Sequence, residues 1–76
     1  MITIREFLNK IFWSAEEQKS DYVLIYLDLG ELKELPLEKV KTIEKYFMIV
    51  EKNGEATIPL HRIRAVKKKG EIVWRR

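Results

Sequence analysis

Residues 35 to 43 read LPLEKVKTI, and residues 58 to 66 read IPLHRIRAV, so the chain lays down one apolar frame twice and changes the charges set into it. Proline has no N–H to give to a sheet ladder and fixes its own φ. Pro36 and Pro59 should therefore each end a strand and open a tight or single-turn helical corner. Leu37 and Val40, like Leu60 and Ile63, stand three apart. On a single turn that spacing sends both side chains of each pair into a core, and the pairs between them, Glu38-Lys39 and His61-Arg62, face outward. Both corners serve the fold. Only one of them carries the single histidine of the chain.

The likeness extends upstream. Tyr22, Ile25, Gly30 and Glu31 match Tyr46, Ile49, Gly54 and Glu55, and a one-residue gap separates these matches from those of the corners. We read an internal duplication, with units over about 22–43 and 46–66, each made of a hairpin, a proline corner and an outgoing strand. β-Branched and aromatic residues dominate these segments, and Asn53-Gly54 is a strong hairpin-turn signal. Turns are also expected at Leu29-Gly30 and Lys69-Gly70, the latter closing a C-terminal hairpin over about 63–75.

Before the sheet comes a helix, expected over about 3–13. Thr3 can cap it, Glu6 completes a capping box, and Ile2 can staple against Phe7. Ile4, Phe7, Leu8, Ile11 and Phe12 then form the stripe of one buried face. A helix of about ten residues is marginal alone, so it must dock on the sheet. The predicted fold is a single α+β domain over residues 1–76. Its N-terminal helix packs on a six-stranded antiparallel sheet that curls toward a small barrel, by analogy with Sm-like and SH3-like folds.

Seventy-six residues without a cysteine must hold by packing alone, with neither a disulfide framework nor a thiolate nucleophile. One histidine without cysteines supplies no structural zinc site, and neither a metal nor a cofactor is expected. No run approaches the roughly 18 apolar residues of a membrane span, and the first residues lack the basic-then-apolar order of a secretory signal. A cytoplasmic protein, monomeric or weakly dimeric, is expected. Charged residues make up 36% of the chain, a richness seen in proteins of hyperthermophiles, which lessens the meaning of any isolated charge.

The charge is nonetheless unevenly placed. From His61 to Arg76 seven cations face one glutamate, net +6, whereas the first 60 residues carry net −3. His61 and Arg62 can clamp a phosphate, the arginine through paired hydrogen bonds and the histidine as a donor near neutral pH. Arg64 and Lys68 share a strand face and can add sequence-independent attraction to a nucleic-acid backbone. The competing reading is a solvated hairpin whose lysines guard a sheet edge. Trp13, Trp74, Tyr26 and Tyr46 are candidate platforms for base stacking, but a domain this small needs large side chains inside, and both tryptophans are expected in the core or at its rim. Arg5 and Asn9 lie on the polar side of the helix. No phosphate loop, nucleophile elbow or zinc-protease motif occurs, and no spacing provides His61 with a proton-transfer partner, so an enzyme is not expected.

The segments IREFLNKIFW, IPLHRI and GEIVW, taken together and in this order, resemble a family of small, mainly archaeal proteins described as an RNA cyclic-group end recognition domain. The resemblance spans nearly the whole chain. It implies binding of processed RNA ends, with His61 and Arg62 against the phosphate and with Arg5, Asn9 and the two tryptophans among the motif positions. Members often carry a second His-Arg-Gly after the first strand, where this chain has Asp28-Leu29-Gly30. The expected function is a non-catalytic RNA-binding module that recognises a phosphate-bearing RNA end, cyclic or open, or the backbone, through His61, Arg62, Arg64, Lys68 and Arg5. The alternative is a protein-interaction adaptor in an RNA-processing assembly.

Overall fold

The computed structural model describes residues 2–76. One helix, α1 (Ile4–Trp13), precedes seven strands: β1 (Tyr22–Asp28), β2 (Glu31–Pro36), β3 (Val40–Ile43), β4 (Phe47–Glu51), β5 (Glu55–Pro59), β6 (Ile63–Lys68) and β7 (Glu71–Arg75). Thr3 caps α1 as its sequence suggests. Its hydroxyl oxygen accepts the Glu6 N–H at 3.1 Å and its hydroxyl donates to the Glu6 carboxylate at the same distance. Ile4, Leu8 and Ile11 are buried, and Phe7 and Phe12 pack partly against the same core.

The strands form two antiparallel sheets, not one sheet of six. Four strands pair in the order β2-β1-β6-β7 and three in the order β3-β4-β5. This corrects the expected single curled sheet; the strands do not close into a barrel. The physical cause lies in the proline corners. Leu37–Lys39 and Leu60–Arg62 each make one 3₁₀ turn after a proline held at φ near −60°. Each turn carries the chain out of one sheet and into the other. The first hairpin, β1-β2, belongs to the four-stranded sheet but sends β3 to pair with β4; the second, β4-β5, sends β6 back to pair with β1.

The two exchanges share a register. Val40, Thr42 and Ile43 face Val50, Ile49 and Met48, with Lys41 skipped by a bulge; Ile63, Ala65 and Val66 face Tyr26, Ile25 and Leu24, with Arg64 skipped in the same way. A bulge leaves one residue unpaired and bends its strand. Lys41 and Arg64 are thus set out toward solvent at matching places. Leu37, Val40, Leu60 and Ile63 all enter the core, and the pairs between them are exposed.

The turn glycines also act as the sequence implies. Leu29-Gly30 and Lys69-Gly70 close two-residue hairpins with both residues at positive φ, the geometry that matches the twist of the flanking strands. Asn53-Gly54 closes a loop one residue longer, with Glu51 opposite Glu55. Among the described residues no helix is long and apolar enough to cross a membrane.

Candidate nucleic-acid interface

The second corner is built on buried Leu60 and Ile63, with the Ile63 N–H donating back to the Leu60 carbonyl. A further clamp holds it. The Arg76 guanidinium donates through Nε to the Ile63 carbonyl and through Nη2 to the Leu60 carbonyl, both at 3.1 Å, while its backbone N–H reaches the Arg64 carbonyl at 3.1 Å. The Leu60 carbonyl thus accepts a second bond, and a cation is held against the carbonyls at the end of the turn. Among the described residues the first corner has no such clamp. The result is a fixed backbone that presents His61 and Arg62 to solvent.

His61 stands on a ridge between two open hollows. One, of about 370 Å³, is lined by Thr3, Ile4, Arg5, Lys45, Tyr46, Leu60, His61 and Arg76. The other, of about 360 Å³, is lined by Leu27, Leu29, Gly30, His61, Arg62 and Arg64. Among the described residues no aspartate or glutamate side chain lines either one. Arg5, Lys45, Arg62 and Arg64 make no ion pair among the described residues. Arg5 lies in the first turn of α1, where a cation opposes the helix dipole and gives the helix nothing.

The corresponding hollow at the first corner has a different lining. Lys39, Lys52 and Asn53 share it with Glu34 and Glu51, and the Lys52 ammonium donates to the Tyr26 hydroxyl at 2.9 Å. Lys41, which occupies the bulge position equivalent to Arg64, is held by Glu55 at 3.0 Å and Glu51 at 3.4 Å. Hydrogen bonds donated by its ammonium to these two carboxylates push its pKa up. The first corner is internally neutralised and the second is not.

Of the residues singled out from the sequence, His61, Arg62, Arg64 and Arg5 come together. Lys68 does not join them. It lies at the far end of β6, paired with Glu17 at 3.2 Å beside the Tyr22 hydroxyl, which itself donates to Glu17. That carboxylate raises the Lys68 pKa. A cation so held adds little to a site five residues, or roughly 16 Å, along the strand. Lys67 is likewise taken up by Glu34.

The tryptophans divide. Trp74 is only 8% exposed and its indole N–H donates to the Ile2 carbonyl at 3.1 Å, so it ties β7 to the start of α1 and presents no free face for a base. That corrects its candidacy as a stacking platform. Trp13 is 87% exposed, contrary to the expected core or rim position, because it falls about 180° around the helix from Ile4. Tyr26 is buried and Tyr46 is 72% exposed at the edge of the Arg5 hollow.

Sequence reasoning missed Lys45, Leu29 and the clamp by Arg76. A signal for the first was available: Lys45-Tyr46 matches Asp21-Tyr22 in the first unit, so the second unit has a cation where the first has an anion. Asp28 stays outside the hollow beside its turn. The Lys33 ammonium, bonded to it at 2.9 Å, holds its carboxyl below the usual range against a smaller desolvation, with Lys52 and Arg62 acting from further away.

Comparison with known proteins fits this geometry. The family described as MJ1316 RNA cyclic group end recognition domain matches residues 1–76. The chain belongs to that family. Relatives include a UPF0248 protein of Pyrococcus horikoshii, 36% identical over 76 residues, covering 95% of this chain and 87% of the relative. Another, from Saccharolobus solfataricus, is 31% identical over 78 residues, covering 96% and 95%. A third, from Metallosphaera sedula, is 27% identical over 75 residues, covering 99% and 94%. No solved structure matches. Leu29 and Gly30, from the turn between β1 and β2, line the same hollow as His61 and Arg62, so the turn and the second corner are two walls of one hollow.

Proposed function

We propose that this chain is a non-catalytic RNA-binding module that holds a phosphate-bearing RNA end at the His61 corner. The observation that carries this reading is the pair of hollows meeting at His61, lined by arginine and lysine and, among the described residues, by no aspartate or glutamate side chain. Such a surface lowers the energy of an anion through charge-assisted hydrogen bonds, of which arginine to phosphate is among the strongest. The printed family description, which names recognition of an RNA cyclic group end, supports the same ligand class.

The side chains present favour binding over cleavage. Metal-independent phosphodiester cleavage moves one proton off the nucleophile and another onto the leaving group, normally through two positioned side chains. His61 can serve once. The remaining polar side chains of the hollows are cations, Tyr46 and Thr3, suited to holding an anion in place.

The test is fluorescence-anisotropy binding of a short single-stranded RNA ending in a 3′ cyclic phosphate, beside the same RNA ending in a 3′ hydroxyl, at two salt concentrations. Tighter binding of the cyclic end, lost in His61→Ala/Arg62→Ala, is the expected result. Equal binding of both ends with a steep salt slope would reduce the role to backbone binding, and absence of binding at low salt would remove the RNA reading.

One observation favours a protein-interaction adaptor as the second reading. Leu32 on β2 and Ile72 on β7 are exposed and, through partners Leu27 and Lys67, lie on the outer face of the four-stranded sheet with Val23 and Ile25. Apolar association there would resist added salt, whereas phosphate binding would weaken with it.

A further inference from the structure

A third hollow lies away from His61. It has a volume of about 290 Å³, sits between the end of α1 and the edge strand β3, and is lined by Asn9, Phe12, Trp13, Lys41, Thr42 and Ile43. Its lining chemistry differs from that of the His61 hollows. The single cation, Lys41, is already held by Glu51 and Glu55, so the hollow offers no uncompensated charge to a phosphate. What it does offer is the exposed indole of Trp13, an amide from Asn9 and a hydroxyl from Thr42. The Phe12 ring is engaged by the Lys19 ammonium, 4.0 Å from its centre, which leaves Trp13 as the free aromatic face. A flat apolar surface bordered by amide and hydroxyl groups matches a nucleobase, which stacks by its face and bonds by its edge. The volume is at the lower end for small-molecule sites, which suits one planar group.

The two regions are joined by the helix. Arg5, Asn9 and Trp13 follow at i, i+4 and i+8, on the side of α1 turned away from Ile4 and Leu8. Arg5 lines a His61 hollow, while Asn9 and Trp13 line the third. Eight residues of helix span roughly 12 Å, which is on the order of three nucleotides of a stacked single strand. We infer that the Trp13 hollow is a base-stacking subsite for an internal nucleotide of a single-stranded RNA whose terminal phosphate sits at His61. This rests on the proposed phosphate site. It adds that the ligand is a strand of several nucleotides running along α1, held at two points.

The test compares RNAs of one, two, four and six nucleotides with the same 3′ cyclic phosphate, bound to wild type, Trp13→Ala and His61→Ala/Arg62→Ala. Trp13 is exposed, so Trp13→Ala should keep its melting temperature, which circular dichroism checks. Wild-type affinity should rise between two and about four nucleotides. Trp13→Ala should lose about tenfold or more on the four- and six-nucleotide RNAs and little on the single nucleotide. A six-nucleotide RNA lacking the bases but keeping its phosphates should bind wild type and Trp13→Ala alike. Equal binding of the intact six-nucleotide RNA by wild type and Trp13→Ala, with loss only in the His61/Arg62 variant, would overturn this subsite and leave the phosphate reading standing. Loss in Trp13→Ala but not in the His61/Arg62 variant would remove the terminal-phosphate site on which the inference depends. A shift in sedimentation of Trp13→Ala with RNA binding unchanged would assign the surface to self-association and overturn it as well.

Discussion

The two proline corners share their backbone, their buried leucines and their bulges, yet one is neutral and the other cationic. At the first, two lysines are held by a carboxylate or a hydroxyl: Lys41 by Glu51 and Glu55, and Lys52 by Tyr26. At the second, a leucine stands in place of one of these carboxylates, and Glu31, the match of Glu55, makes no ion pair among the described residues. Leu27 corresponds to Glu51 in the hairpin facing the corner, and Arg64 has no counter-ion among the described residues. A fold that needs both corners does not need them to differ in charge. The difference separates what the architecture requires from what a ligand would require, and it does so inside one molecule.

The sharpest way to break the contrast is to write the first corner into the second. His61→Glu/Arg62→Lys should reduce affinity for a cyclic-phosphate RNA by about a hundredfold or more, since it removes a donor, adds an anion and replaces a paired guanidinium contact. Both positions are exposed, so the urea midpoint should hardly move. Anisotropy and urea melts read the two effects separately.

Next in size is the clamp that only the second corner has. Arg76→Ala should lower stability by about 1 kcal/mol through loss of the bonds to the Leu60 and Ile63 carbonyls, read by urea unfolding. RNA affinity should also fall, because the corner backbone is no longer held. A smaller change sharpens the contrast instead. Leu29→Arg adds a cation to the hollow of His61, Arg62 and Arg64 and should tighten RNA binding roughly threefold while steepening its salt slope. Leu29→Asn should do the opposite kind of thing: it suits positive φ, raising stability by about 0.5 kcal/mol, and brings no charge.

The smallest effect concerns pH. Glu17 is held below the usual carboxylate range, first by the hydrogen bond from the Tyr22 hydroxyl and then by Lys68, and Asp28 is held low chiefly by Lys33. A carboxylate with a depressed folded pKa contributes stability above its unfolded pKa and loses it as pH falls through the folded one. Thermal melting should therefore drop on the acid side of about pH 4, and Glu17→Gln should flatten that limb. The lysine partners have raised values, so their contribution is full below the unfolded lysine pKa and fades only at higher pH. Neutral solution lies on the plateau between.

Much of this was legible in the chain because it is local. Thr3 and Glu6 are three residues apart, the three glycines sit beside their turn partners, and each proline corner announces its own buried pair. The division into two sheets was not legible, since β3 and β6 carry strand patterns that name no partner. Lys68 looked free because Glu17, which holds it, is 51 positions away in sequence. Trp74 is buried, as the need of a small domain for large side chains implied, although a last-strand tryptophan can face either way. The exposure of Trp13 is a different case: the angular position was in the sequence, and treating the residue as a continuation of the apolar stripe hid it.

The exchange of outgoing strands between the two hairpins also sets an order of assembly. Hairpins close from neighbouring residues in microseconds, whereas pairing between distant segments must first overcome the entropy of a long loop. β3 meets β4 across a short connection, but β1 must wait for β6, with Tyr26 opposite Ile63. The His61 turn is the link between β5 and β6, so its final shape arrives only when that long loop closes. A chain caught before this step would already own its hairpins and its charges, and would still lack the one surface on which those charges converge.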